Sequence, residues 1–329
     1  MCANRETVST IDQLLEPVRE QLTAVESRLR ESTNEEHKAL TAATQHLLDS
    51  GGKRVRPAVA LLSAGLFNAD EDHAIALAAA VEMLHTATLV HDDLIDGSLL
   101  RRGIATLNSK WSPDATVLTG DYLFARAASF AAQTDSVRVM NIFAKTLMVI
   151  VNGEIRQKFA SVSSLSRESY FQRIQAKTAS MFALAAEAGA VLGNANDTSI
   201  AQMRCYGRET GMAFQIVDDV LDFIGTADRL GKPVGNDLQQ GLLTLPALNF
   251  IEANPDNPDV AALLNGHRKD RKMREHLLQS IRASDAIDAS LDKARDFVTS
   301  AKSALSAATE DKNQNILHAI ADYVVEREF

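Results

Sequence analysis

The sequence predicts an all-α protein, and three observations carry that expectation. Apolar residues recur at i, i+3, i+4 and i+7 in segment after segment. No stretch shows the convincing apolar-polar alternation of a half-buried strand. The composition is 46% hydrophobic with 16 glycines and 7 prolines in 329 residues, which suits an alanine- and leucine-rich helical chain large enough to bury a substantial core.

Residues 10–31 carry an apolar stripe of Ile11, Leu14, Leu15, Val18, Leu22, Val25 and Leu29. Ser9 or Thr10 would cap it, and Asp12 and Glu16 suit the positive start of a helix. Pro17 falls inside the run and predicts a kink or a later start. Residues 36–50 form a second helix, ended by Gly51-Gly52. Pro57 then fits the first turn of a third, where its missing N–H is harmless. Lys53, Arg54 and Arg56 crowd before that turn, and helix N-termini attract anions, so a phosphate site is expected there.

Residues 71–96 are the central helix. Val81, Leu84, His85, Thr88, Asp92 and Asp96 share one face, which begins apolar and ends in carboxylates. From Val81 to Asp92 that face runs about 16 Å. Asp92 and Asp96, with Asp93 beside them, repel one another, and aspartate is a poor interior helix residue. A divalent cation offsets that cost, and Mg²⁺ commonly bridges one or two carboxylates to substrate phosphates. Gly97 ends the helix, and Arg101 and Arg102 follow.

Two apolar helices are expected at 119–132 and 137–159, then, after a polar turn, a third at 168–193 that holds Lys177 and Thr178. A helix from about 198 to 224 repeats the acidic pattern as Asp218, Asp219 and Asp222 in FQIVDDVLDF. One DDxxD is weak, but two in apolar helices with basic clusters nearby are a strong signal for a shared cation site. The loop at 225–241 offers Lys232 and reads as a lid or substrate loop. Helices near 244–253, 258–265, 268–283, 286–307 and 313–326 complete the chain.

The net charge of −9 argues against a nucleic-acid partner. Two cysteines, Cys2 and Cys205, make neither a disulfide framework nor a zinc pattern, which fits a reducing, cytoplasmic setting. The first residues read as neither a secretory signal nor a transit peptide. No uncharged apolar run is long enough to predict a transmembrane segment.

GGKRVRP at 51–57, HTATLVHDDLIDGSLLRRG at 85–103, KT at 177–178, FQIVDDVLDFIG at 214–225 and GKPVGNDLQQG at 231–241 resemble the trans-isoprenyl diphosphate synthases, the polyprenyl synthetase family. The resemblance implies one domain over 1–329, a single large helical bundle around a central cavity, and a homodimer. It implies Mg²⁺-dependent head-to-tail condensation of isopentenyl diphosphate with an allylic diphosphate, with three ions per site and Mn²⁺ as a substitute. By position, Asp92, Asp96 and Asp218 resemble the main metal ligands, with Asp93, Asp219 and Asp222 completing the set. Lys177, with Arg101 and Lys232, resembles the contacts to the allylic diphosphate. Lys53, Arg56, His85 and Arg102 resemble the isopentenyl diphosphate site. Thr178 and Gln215 resemble the catalytic groups beside the developing carbocation.

The residue types suit that chemistry. Ionisation of the allylic C–O bond leaves diphosphate and a delocalised cation, and metal ions with Lys and Arg stabilise the leaving group. Water must be kept out by an apolar wall. No dedicated base is evident, and the released diphosphate can take the proton. One position departs from the family: Leu242 stands where a lysine is usual.

Ala87 and Thr88, just ahead of Asp92, are small where short-chain members carry an aromatic residue, so a long-chain all-trans product is expected. Phe124 on a neighbouring helix is a candidate floor. Geranylgeranyl or farnesyl diphosphate is the alternative product. A terpene cyclase would not need the Lys53, Arg56, His85 and Arg102 set. A regulatory subunit would typically lose one acidic motif. Peripheral membrane contact for product release is a further expectation.

Overall fold

The computed structural model describes residues 11–31, 38–101, 103–159, 166–225, 234–264, 270–305 and 311–327. The expected capping residues Ser9 and Thr10, and Cys2, lie outside these. Pro17 acts as the sequence predicts. A single turn, Ile11–Leu14, and a 3-10 turn, Glu16–Val18, precede helix α1 (Arg19–Glu31). Helices α2 (Lys38–Asp49) and α3 (Val55–Leu66) follow, with Arg54 at the cap of α3 in the left-handed region, φ 49°.

Helix α4 (Glu71–Ile95) begins at Asp70, whose carboxylate accepts from the His73 N–H at 3.0 Å. It ends where Gly97 takes φ +65°, with Gly97 N–H donating to Leu94 O at 3.3 Å and Ser98 N–H to Asp93 O at 2.9 Å. This is the paired closure of a Schellman motif, and only the glycine adopts its left-handed step without strain. By length and composition alone α4 is apolar enough to cross a membrane. Its apolar residues are instead the buried middle of the bundle, Leu77, Val81 and Leu84 among them, each stabilising by about 1.5–3 kcal/mol.

The expectation of no strand needs one correction. Leu100–Arg101 (β1) and Ile104–Ala105 (β2) pair antiparallel around Gly103, φ +75°. Two residues per strand are too few to show an alternation, and the turn glycine carries the signal.

Helix α5 (Pro113–Ala132) starts ahead of the expected 119, capped by Ser112 and opened by Pro113. Helices α6 (Val137–Lys158) and α7 (Arg167–Ile174) lead into a π-helical turn, Gln175–Ala179, and then α8 (Ser180–Leu192). Helix α9 (Asp197–Ile224), the longest at 28 residues, is capped by the Asn196 side chain. Helices α10 (Leu245–Ala253), α11 (Arg271–Arg282), α12 (Ala286–Leu305) and α13 (Lys312–Glu326) close the fold.

Helix α4 packs mainly on α5 and α3, and α9 mainly on α8 and α12. Helix α8 joins the two halves, touching α3, α6, α4 and α9. Its contact with α9 is nearly backbone to backbone, since a Cβ at Gly207 would lie 2.3 Å from Phe182 O. The buried apolar side chains form one cluster from Ile11 to Val324. Helix α13, packed on α3 and α12, carries Arg327 back into the interior, where it is 8% exposed.

Candidate functional site

Both acidic motifs lie toward the C-terminal ends of long helices. Asp96 is the last capping residue of α4, and Asp222 lies in the final turn of α9. The helix dipole is negative at that end, so it adds to the carboxylates and favours cations. Asp92 and Asp93 are buried, whereas Asp96 is exposed.

Three carboxylates are each met by a basic side chain. Lys177 Nζ lies 2.9 Å from Asp92 Oδ2. Arg101 Nη2 lies 2.8 Å from Asp93 Oδ1, while its Nε donates to the two Asp93 oxygens at 2.9 and 3.1 Å. Arg327 Nη2 lies 2.5 Å from Asp218 Oδ1, donates to Phe214 O at 2.9 Å, and the guanidinium sits 4.0 Å from the Phe214 ring centroid. Burial raises Asp93 above the usual carboxylate range, against the opposing pull of Arg101. Burial pulls the Lys177 ammonium down, but Asp92 and Glu154 together outweigh it and the net shift is upward.

The π turn is what joins the motifs. Its consecutive residues Lys177 and Thr178 each reach one of them. Lys177 Nζ pairs with Asp92 and also with Glu154 Oε1 at 3.1 Å. Thr178 Oγ1 donates to Gln215 Oε1 at 2.6 Å, and Gln215 Nε2 donates to Asp219 Oδ1 at 2.8 Å. The Tyr170 hydroxyl donates to Asp219 Oδ2 at 2.7 Å. Single π turns mark functional places in helices, because the extra residue re-aims side chains. Space for it comes from two glycines on other helices. A Cβ at Gly153 would lie 2.6 Å from Ala176 Cβ, and one at Gly211 would lie 2.6 Å from Ala179 Cα.

Asp219 differs from its neighbours. It is 4% exposed, both its oxygens accept protein hydrogen bonds, and burial, helped by Asp237, pushes its pKa up to about 7. Burial and Asp219 hold the Tyr170 phenol well above its usual value, so it stays a donor. Asp222 ties the segment at 235–237 to α9, accepting from Gly235 N–H at its carbonyl (2.8 Å) and from Asp237 N–H at Oδ2 (3.1 Å). Leu242 donates its N–H to Asp237 O at 2.9 Å and is half-buried, and nearby Arg173 Nη2 donates to Leu243 O at 3.2 Å.

The basic cluster divides. Lys53 is exposed, with Nζ 5.7 Å from the Tyr323 ring centroid. Arg54 turns inward to pair with Glu82 and Glu26, so it holds the fold rather than facing a ligand. Arg56 Nη1 lies 3.4 Å from His85 Nε2, and its guanidinium is 4.9 and 5.5 Å from the Phe182 and Phe214 ring centroids. Phe214 therefore contacts both Arg56 and Arg327, linking the basic cluster to the second acidic motif. Arg102 and Lys232 lie outside the described residues. Ala87 is fully buried, and Thr88 is 8% exposed with its hydroxyl donating to His85 O at 2.7 Å.

Among the described residues no three His, Cys, Asp or Glu side chains are already arranged around one metal position. The donor chemistry still fits Mg²⁺. The acids offer only hard oxygen ligands, and Mg²⁺ takes one or two carboxylates and completes its shell with water and phosphate. Glu154, Tyr170 and Arg327 join the cluster without a sequence signal, whereas Asp237 comes from the GKPVGNDLQQG stretch. Each is a single polar residue brought in by a separate element.

A family described as polyprenyl synthetase matches residues 37–281. The chain is 36% identical to heptaprenyl diphosphate synthase component 2 of Geobacillus stearothermophilus, over 94% of this chain and 96% of the relative. It is similar to the crystal structure of a Caulobacter crescentus polyprenyl synthase complexed with calcium and isoprenyl diphosphate, with TM-score 0.90, 37% identity and coverage of 98% and 99% of the two chains. A decaprenyl diphosphate synthase from Rhodobacter capsulatus superposes with TM-score 0.89 at 34% identity, covering 97% of this chain and 100% of the other.

Proposed function

The chain belongs to the polyprenyl synthetase family, and from that premise we propose that it condenses isopentenyl diphosphate with an allylic diphosphate to give a long-chain all-trans polyprenyl diphosphate. The observation that carries this reading is the path Asp92–Lys177–Thr178–Gln215–Asp219, which connects the two acidic motifs through adjacent residues. A regulatory subunit would not need both motifs in this arrangement, and the farnesyl and geranylgeranyl alternatives are not favoured.

Asp92, Asp96 and Asp218, with Asp93 and Asp222 in support, would hold three Mg²⁺ ions, for which Mn²⁺ would substitute, and the metal would neutralise charge on the departing diphosphate. Arg101 and Lys177 already lie against these acids, so with Lys232 they would meet the allylic diphosphate beside any metal the carboxylates hold. Lys53, Arg56, His85 and Arg102 take isopentenyl diphosphate, and the contact between Arg56 and Phe214 sets that site next to the second acidic helix. The Thr178 and Gln215 oxygens lie beside the developing allylic cation. The buried wall of α4 excludes water, and the released diphosphate takes the proton. Residues 1–329 act as one domain in a cytoplasmic enzyme, with membrane contact limited to product release.

The purified protein, given Mg²⁺, isopentenyl diphosphate and primers of several lengths, is expected to yield products beyond geranylgeranyl diphosphate by mass spectrometry. A predominantly farnesyl product would defeat the long-chain assignment.

The oligomer is a homodimer in this reading. Leu118 on α5 and Met148, Val151 and Ile155 on α6 are exposed large apolar residues, and the last three share one helical face. Sedimentation is expected to show a dimer for the wild type and a monomer for Val151→Glu. A monomeric wild type would remove the homodimer.

A further inference from the structure

We propose that Tyr170 and Asp219 are positioning residues that fix the polarity of the Gln215–Thr178 pair. In this role Asp219 is an anchor rather than a direct metal ligand. The inference rests on the prenyltransferase reading and deepens it.

The argument is one of donors and acceptors. Gln215 turns its amide N–H toward Asp219 Oδ1, at 2.8 Å, while the other Asp219 oxygen is taken by the Tyr170 hydroxyl. That leaves Gln215 Oε1 facing Thr178, and Thr178 gives its single hydroxyl hydrogen to that oxygen. The Thr178 oxygen, having donated its hydrogen, then has only lone pairs to offer a neighbouring group. Lone pairs favour a neighbouring positive charge. If the Gln215 amide turned over, its N–H would face Thr178, and the Thr178 hydrogen would be free to point at the cation and oppose it.

Asp219 therefore sets the direction of the whole array, and Tyr170 sets Asp219. Tyr170 comes from α7, on the far side of the π turn from α8, and is 2% exposed. Its hydroxyl occupies the second Asp219 oxygen, so the carboxylate cannot rotate away from Gln215. Gln215 and Asp219 are four residues apart on one face of α9, so the anchor and the residue it orients are rigidly spaced. Loss of a buried hydrogen bond of this kind at a preorganised group is felt in turnover, not in ground-state binding.

The test is a double-mutant cycle on the full-length chain. Tyr170→Phe keeps the ring and is expected to lower kcat about tenfold, with KM for both substrates unchanged. In a Thr178→Val background, Tyr170→Phe is expected to add little, because the array it orients is already broken. Asp219→Asn, whose amide permits Gln215 to turn over, is expected to be more damaging than Tyr170→Phe, while leaving the Mg²⁺ concentration for half-maximal rate unchanged. Thermal melts of all variants report folding. Additive losses, a change confined to KM, or a raised Mg²⁺ requirement in Asp219→Asn would overturn the proposal. A wild-type chain inactive in the same assay would sink the prenyltransferase reading, and this inference with it.

Discussion

Asp92→Ala and Asp218→Ala are each expected to lower kcat by about 10³-fold, the effect of losing roughly 4 kcal/mol of leaving-group stabilisation. Each variant removes an oxygen ligand at the negative end of a long helix, and no neighbouring side chain replaces it. Lys177 then keeps Glu154 as its partner in Asp92→Ala. In Asp218→Ala, by contrast, the buried Arg327 loses its carboxylate partner and keeps the Phe214 carbonyl and ring. The two variants should therefore lose similar activity but differ in metal-free stability, with Asp218→Ala melting lower. Asp256, an exposed acid away from both motifs, is the control, and Asp256→Ala should be unaffected. Steady-state kinetics with varied Mg²⁺ and calorimetry without metal read both effects. Near-wild-type turnover in either acidic variant would mean that the cation assignment is wrong.

The helices were legible because each shows its apolar stripe in sequence, and Pro17, Gly51 and Gly97 mark boundaries by the backbone conformations they allow. The two acidic motifs were legible for the same reason, since a carboxylate pair inside an apolar helix is unfavourable until a cation meets it. The start of α5 was missed because Ser112 and Pro113 signal it by capping, ahead of the apolar repeat. The π turn could not be read from its own residues. Its room comes from Gly153 on α6 and Gly211 on α9, which approach only in the folded protein. Arg327 is a similar case. Nothing near it in sequence points to Asp218, and only the docking of α13 brings the two together. Arg54 shows the opposite failure. Its charge and position matched a phosphate site, but the buried Glu82 claims it.

Thr88→Phe and Ala87→Phe are expected to shorten the product, with Ala87→Phe adding the larger volume. Thr88 lies one turn before Asp92, about 6 Å along the helix axis, whereas Val81 lies about 16 Å away. The Thr88 hydroxyl folds back onto His85 O at 2.7 Å, so its polarity is spent within the helix. Ala87, Val81 and Leu84 are wholly buried apolar residues of α4 ahead of Asp92. Phe124, the candidate floor from α5, meets His91 in a tilted pair with 5.3 Å between ring centroids. If the growing tail runs along this face of α4, a phenyl ring at either position would block it. Overpacking is expected to destabilise the fold by about 1–3 kcal/mol, so each variant is assayed below its melting temperature. Chromatography and mass spectrometry of the products then decide the matter. A length distribution unchanged from wild type in both variants would show that the growing tail does not run along this face of α4.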